Sequence, residues 1–165
     1  MKDTLSKMLD ESIFLELNVA KLYLLFHEIF PEHAMFWWRL HLEEKNHAAL
    51  IRSIKELFKP AGKIPTNLLS SSLQKLQDSN ATITSLRDQY SDIKPSTEEA
   101  FNIALKLELT AGEIHYQEFM DKDQNSMLDK IFQKLNQDDK HHAIRLCAHM
   151  RHHNITIDGN LIEHG

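Results

Sequence analysis

Apolar residues recur along this chain at spacings of three and four, in four long blocks separated by polar stretches. The first block runs from about residue 4 to 29 and stops at Pro31; the second spans roughly 32 to 58 and ends before KPAGKIP. The third starts after KPS, where Ser96 and Glu99 have the spacing of a capping box, and continues to about Met120. A polar DKDQNS turn leads into the fourth, about 126 to 153. Between the second and third blocks lies a polar segment, about 59 to 95, whose weaker patterns NLLSSSLQKL and ITSLRDQY predict one or two short helices. The pattern therefore predicts an all-α chain: a four-helix bundle of two antiparallel helix hairpins joined by a long crossover containing short helices, with an irregular tail after about residue 153. The whole chain, 1–165, is read as one domain.

Composition sharpens this picture by exclusion. Four glycines and four prolines lie almost entirely in the gaps, and only Gly112 interrupts a helical pattern. With 24 acidic against 19 basic residues and no Lys/Arg stripe, nucleic acid is not an expected partner. Charges break up the N-terminal MKDTLSKMLDES, and no uncharged apolar run approaches the length of a membrane span, so a soluble, cytoplasmic protein is expected. Cys147 stands alone, which excludes an intrachain disulfide and a four-cysteine metal site; it is expected to pack as a small apolar residue.

The chemistry is carried by two similar stretches. Residues 43–50 read EEKNHAAL and residues 138–146 read DDKHHAIRL, each with two acids and then a histidine three places past the second acid. In the fourth helix Leu128, Phe132, Leu135, Asp139, His142 and Leu146 follow steps of four and three, which places Asp139 and His142 on the apolar stripe. In the second, Glu44 shares a seam with Trp37, Ile51 and Phe58, and His47 lies beside it. The other members, Glu43 with Arg39 and Asp138 with His141, Lys134 and Arg145, are read as facing water. Glu16 in FLEL and Glu108 in LEL are single acids embedded in apolar runs, and LELNVAKLYLLF aligns with LELTAGEIHYQEF as a diverged duplication.

Four buried carboxylates with no inward Lys or Arg need a countercharge. Two divalent cations would supply it, with Glu16, Glu44, Glu108 and Asp139 balancing the charge and His47 and His142 donating imidazole nitrogens. Oxygen-rich ligation with one nitrogen per metal suits iron or manganese better than zinc. Tyr23 and His115, each seven residues past a ligand glutamate, are candidates for hydrogen-bonding support of the ligands. His149 and His153 continue the stripe and are candidates for a further metal. Helix one is apolar on too many sides for a lone bundle, and with the adjacent Trp37 and Trp38 this predicts a homodimer.

This order, Glu, Glu-x-x-His, Glu, Asp-x-x-His, resembles the ferritin-like di-iron carboxylate proteins, and KPSTEEAFNIALKLELTAGEIHYQEF resembles the third helix of the rubrerythrin family. The resemblance covers roughly residues 5 to 150. It implies a ferritin-like fold, two iron ions, Glu16 and Glu108 as terminal carboxylates, Glu44 and Asp139 as bridging ones, and one histidine capping each metal. It implies an oxidoreductase reducing peroxide, activating dioxygen or oxidising Fe(II), fed by an external electron-donor protein; the alternative is a non-catalytic metal-binding, storage or sensing protein. Two departures stand out. Asp139 occupies a position where the family has Glu, and the rubredoxin-like four-cysteine domain is absent from the sequence.

Overall fold

The computed structural model describes residues 2–58, 73–115 and 127–162, and within those helices the side chains of 2–5, 57–58, 111–115, 127–129, 132, 133, 136, 139 and 162 fall outside the description. The described residues are helical, with no strand: α1 (Lys2–Ile29), α2 (Ala34–Phe58), α3 (Leu73–Asp92), α4 (Thr97–His115), α5 (Met127–His152) and the short α6 (Gly159–Ile162). A 3-10 turn, Pro31–His33, makes the tight reversal from α1 into α2. None of the described helices is long and apolar enough to cross a membrane.

The α1–α2 hairpin is pinned by polar groups as well as by packing. Buried His41 meets the Ala20 carbonyl through Nδ1 at 2.7 Å, and His27 meets the Ala34 carbonyl at 2.9 Å. These bonds satisfy imidazole nitrogens that would otherwise be costly to bury. At the same end Trp37, fully buried, packs on Phe26 and Phe101 with ring centroids 5.0 and 4.4 Å away, while Tyr23 and Tyr90 close the cluster. Trp38, about 100° further round the helix, is 38 % exposed.

One expectation requires correction. The described part of the crossover is a single 20-residue helix, α3, instead of short helical pieces; residues 59–72, including most of NLLSSSLQKL, lie outside the described residues. Its buried stripe is Leu76, Asn80, Ile83 and Tyr90, so a polar residue interrupts the apolar pattern in the middle. Asn80 is buried because its amide accepts from Asn18 Nδ2 (3.0 Å) and donates to Glu11 (2.8 Å to Oε2, 3.0 Å to the carbonyl), while Arg87 donates to Asn18. This network seats α3 against α1 and covers part of the surplus apolar surface there; Phe14 keeps 46 % exposure, whereas Leu22 and Phe26 are fully buried.

The tail has no regular structure over residues 155–158, ends in the four-residue α6 and folds back on α4. Asn154 takes a left-handed conformation (φ 56°), and the bonds Ile155 N–H to Met150 O and Asn154 N–H to Arg151 O close α5 in a Schellman-type cap. Buried Asn102 then donates to the Thr156 carbonyl (2.8 Å) and accepts from the Asp158 amide (2.9 Å), which leads into α6. At the start of α4, Ser96 Oγ accepts from the Glu99 amide at 3.1 Å, as a capping serine should. The Glu99 carboxylate takes the Tyr90 hydroxyl instead of reaching back to the cap, which joins α4 to α3.

Candidate metal centre

Four helices send acid or imidazole groups to one level of the bundle. Glu16 from α1, Glu44 and His47 from α2, Glu108 from α4 and His142 from α5 are all buried, with exposures between 2 and 7 %. Nδ1 of His47 lies 3.2 Å from Glu44 Oε2 and 3.6 Å from Glu16 Oε2. Nδ1 of His142 lies 2.8 Å from Glu44 Oε1 and 3.2 Å from Glu108 Oε2. Two groups of donors result, Glu16/Glu44/His47 and Glu44/Glu108/His142, each with one ligand atom per residue within 4.8 Å of the others. Glu44 belongs to both. The two imidazole rings stack with centroids 5.3 Å apart and planes 15° apart.

The opposite edge of each imidazole is held as well. Nε2 of His142 faces Glu43 Oε2 at 3.0 Å, and Nε2 of His47 faces Asp138 Oδ2 at 3.6 Å. Glu43 and Asp138 were both expected to face water; only partly exposed, they turn toward the histidine of the opposite helix. The Glu43–Glu44 doublet thus has a division of labour. Glu44 meets the inner Nδ1 atoms, and Glu43 meets the outer Nε2 of His142 across the α2–α5 seam. Arg145, also expected in solvent, is half-buried and grips Glu43 through both terminal nitrogens, one of them at 3.0 Å. Lys134 pairs with Asp138 at 2.9 Å. His141 stands exposed, as the sequence predicts.

These partners set the protonation of the site. Burial by itself would push the His47 pKa down, but the carboxylates of Glu16 and Glu44 outweigh it and raise the ring to about 11. His142 is raised further against the same opposing effect of burial, by Glu108, Glu43 and Glu44. Burial and the charge of Glu108 push Glu44 upward, yet the two imidazoles hold its carboxyl below the usual range. Glu43, lifted by burial, is brought down to about 2 by His142 and Arg145. Without a metal, two imidazolium ions are therefore the internal countercharge of the buried carboxylates.

Tyr23 donates its hydroxyl to Glu108 Oε1 at 2.5 Å, fixing that carboxylate from the α1 side. The side chains of Asp139 and His115 lie outside the described residues, so their expected places in the site are left to the helices that carry them, α5 and α4. Glu44 Oε1, buried, has His142 Nδ1 as its partner at 2.8 Å, an ion pair without the geometry of a good hydrogen bond. The donor set, carboxylate oxygens with one imidazole nitrogen per group and with the far imidazole edge held by an acid, fits a hard-to-borderline divalent metal such as iron or manganese.

A cavity of about 440 Å³ reaches these carboxylates from between α1, α3 and α4. Leu15, Val19, Ile83, Leu86 and Leu107 make its walls mainly apolar, and Glu16, Glu44 and Glu108 form part of its lining.

Sequence reasoning missed Glu43, Asp138 and Arg145, whereas Lys134 is exposed as it predicts. Their signal was the repeated acid doublet itself, in which two like charges side by side are spared by neither helix. A projection of one helix at a time assigned the outer members to solvent because it could not see the facing helix. Compared with protein families, with curated proteins and with solved structures, this chain finds no match in any of the three.

Proposed function

We propose that this chain is a ferritin-like four-helix-bundle protein of rubrerythrin type that binds two iron or manganese ions and reduces peroxide or activates dioxygen. The observation that carries the reading is Glu44, shared between two Glu/Glu/His groups whose histidines turn Nδ1 toward it. In this reading Glu16 and His47 would hold one ion, Glu108 and His142 the other, and Glu44 both, with Asp139 a further carboxylate from α5. Bound there, a pair of redox-active metals supplies electrons for cleavage of an O–O bond.

The chain's own residues do the rest. Glu43 and Asp138 keep each imidazole oriented with Nδ1 inward, which is how an acid behind a ligating histidine raises its basicity and fixes its tautomer. Tyr23 holds Glu108 in place and is positioned to give or take a proton at its oxygen. The mainly apolar cavity favours small neutral molecules, a description that suits hydrogen peroxide and dioxygen. A homodimer and a separate electron-donor protein remain part of the proposal; Phe14, Trp38 and Leu42, each at least 38 % exposed, offer apolar surface for a partner.

The test is direct. Anaerobic loading should give two Fe(II) per chain, and mixing with hydrogen peroxide should produce a fast, stoichiometric optical change. Two bound irons with no change on mixing would favour storage or sensing, and Glu44→Ala with undiminished iron content would remove the centre altogether.

A further inference from the structure

A second cluster of donors sits at the far end of α5, outside the carboxylate centre. His33, the last residue of the 3-10 turn, meets His149 and His153, and one ring nitrogen from each lies within 4.8 Å of the other two. His149 Nε2 is 3.1 Å from His33 Nδ1, and the ring centroids are 4.3 to 5.0 Å apart.

Three features make this a built arrangement. First, the rings are set by packing: Phe36 stacks on His149 at 4.1 Å, and Phe101 lies edge-on to His33 at 5.2 Å. Second, His149 and His153 are four apart on one helix face, a spacing that brings two imidazoles to the same ion. The His153 amide still bonds the His149 carbonyl at 3.0 Å before the left-handed Asn154 caps the helix, so the backbone of both residues keeps the helical register. Third, the cluster lies at the C-terminal end of α5, where the helix dipole favours positive charge.

The chemistry separates this cluster from the carboxylate centre. No carboxylate belongs to the group, so its donors are nitrogen alone. In a tetrahedral zinc site, nitrogens each about 2.0–2.1 Å from the metal stand about 3.3 Å from one another. The His33–His149 separation of 3.1 Å is already near that spacing. His153 is exposed and His149 only half-buried, which leaves a path for the ion and a fourth position for water.

We infer that His33, His149 and His153 form a site for one borderline divalent ion of the zinc class, clamping the turn before α2 to the C-terminal end of α5. The ion would tie together two elements that are otherwise far apart in the chain.

Zinc binding to the purified full-length protein, followed by competition with a chromophoric chelator, tests this. Wild type should bind one zinc that His153→Ala binds at least about a hundredfold more weakly. His141→Ala, which removes an exposed histidine elsewhere, should keep that zinc. Cobalt(II) at the same site should show the visible bands of a tetrahedral complex in wild type and lose them in His153→Ala and His149→Ala. His153 is exposed, so an unchanged far-ultraviolet circular dichroism spectrum certifies the fold of its variant. Equal zinc stoichiometry and affinity in wild type and His153→Ala would overturn the inference, as would loss of all zinc binding on replacing Glu44 alone. Because the readout is zinc at histidines, it is independent of whether the carboxylate centre takes iron.

Discussion

Nε2 of His142 faces the carboxylate of Glu43, 3.0 Å away on the neighbouring helix, while Nδ1 of the same ring faces Glu44 and Glu108. One imidazole is therefore held at both edges by acids, and the two acids of the EE doublet serve opposite sides of it. This arrangement gives both acids of the Glu43–Glu44 doublet a role at one histidine.

If Glu43 orients His142, then Glu43→Gln should leave the fold intact and weaken one of the two metal sites by about 10- to 100-fold. Metal titration should show one site affected and the other retained. Asp138→Asn should do the same to the His47 side. Equal weakening of both sites by either variant would argue against this pairing across the helices.

The metal-free protein should show a stability profile shaped by these charges. His47 has a folded pKa near 11, above its ordinary value of 6.5, so its contribution is complete below about pH 6.5 and is lost as pH rises toward 11. Glu43 has a folded pKa near 2, below 4.5, so its contribution is present above pH 4.5 and is lost as pH falls toward 2. Urea denaturation across pH should find maximum stability between these windows. In Glu43→Gln the acid-side loss should shrink, at a cost near neutral pH of about 1–2 kcal/mol after solvent screening.

Tyr23→Phe removes the hydroxyl that donates to Glu108 Oε1 and leaves that buried oxygen short of a donor. The expected cost is about 1–3 kcal/mol in the metal-free protein, read as a lowered urea midpoint with an unchanged slope. Bound metal should recover part of it by giving the oxygen another partner.

The helix in the crossover is seated by a polar network, so Asn80→Ala should loosen α3 more than its size suggests. Asn18 Nδ2 and Glu11 Oε2 would lose their Asn80 partner in this seam, at about 1–3 kcal/mol. Hydrogen exchange should then speed up selectively in residues 73–92, with α2 and α5 still protected.

Much of this was legible in the chain before any coordinates. The spacing of Leu, Ile and Phe marks the four long helices, because burial of one face imposes the helical period on the sequence. Glu16 and Glu108 betrayed themselves by sitting between leucines, and Glu44, His47 and His142 by sharing apolar stripes. All five are buried and meet at one level. Where the apolar period is interrupted, the reading failed. In α3 a buried Asn80 breaks the stripe, and its partner Asn18 is 62 residues away, so no local pattern announces that its amide is satisfied.

What the sequence alone determined is which residues lie on the inward face of each helix, since that follows from local period and from the cost of exposing apolar area. What only the tertiary structure decided is what stands across the gap: Glu43 against His142, Asp138 against His47, Arg145 against Glu43, and His33 against His149. Those pairings depend on the rotation and register of one helix against another. Many weak contacts summed over the whole bundle set both, and no segment of the chain carries them by itself.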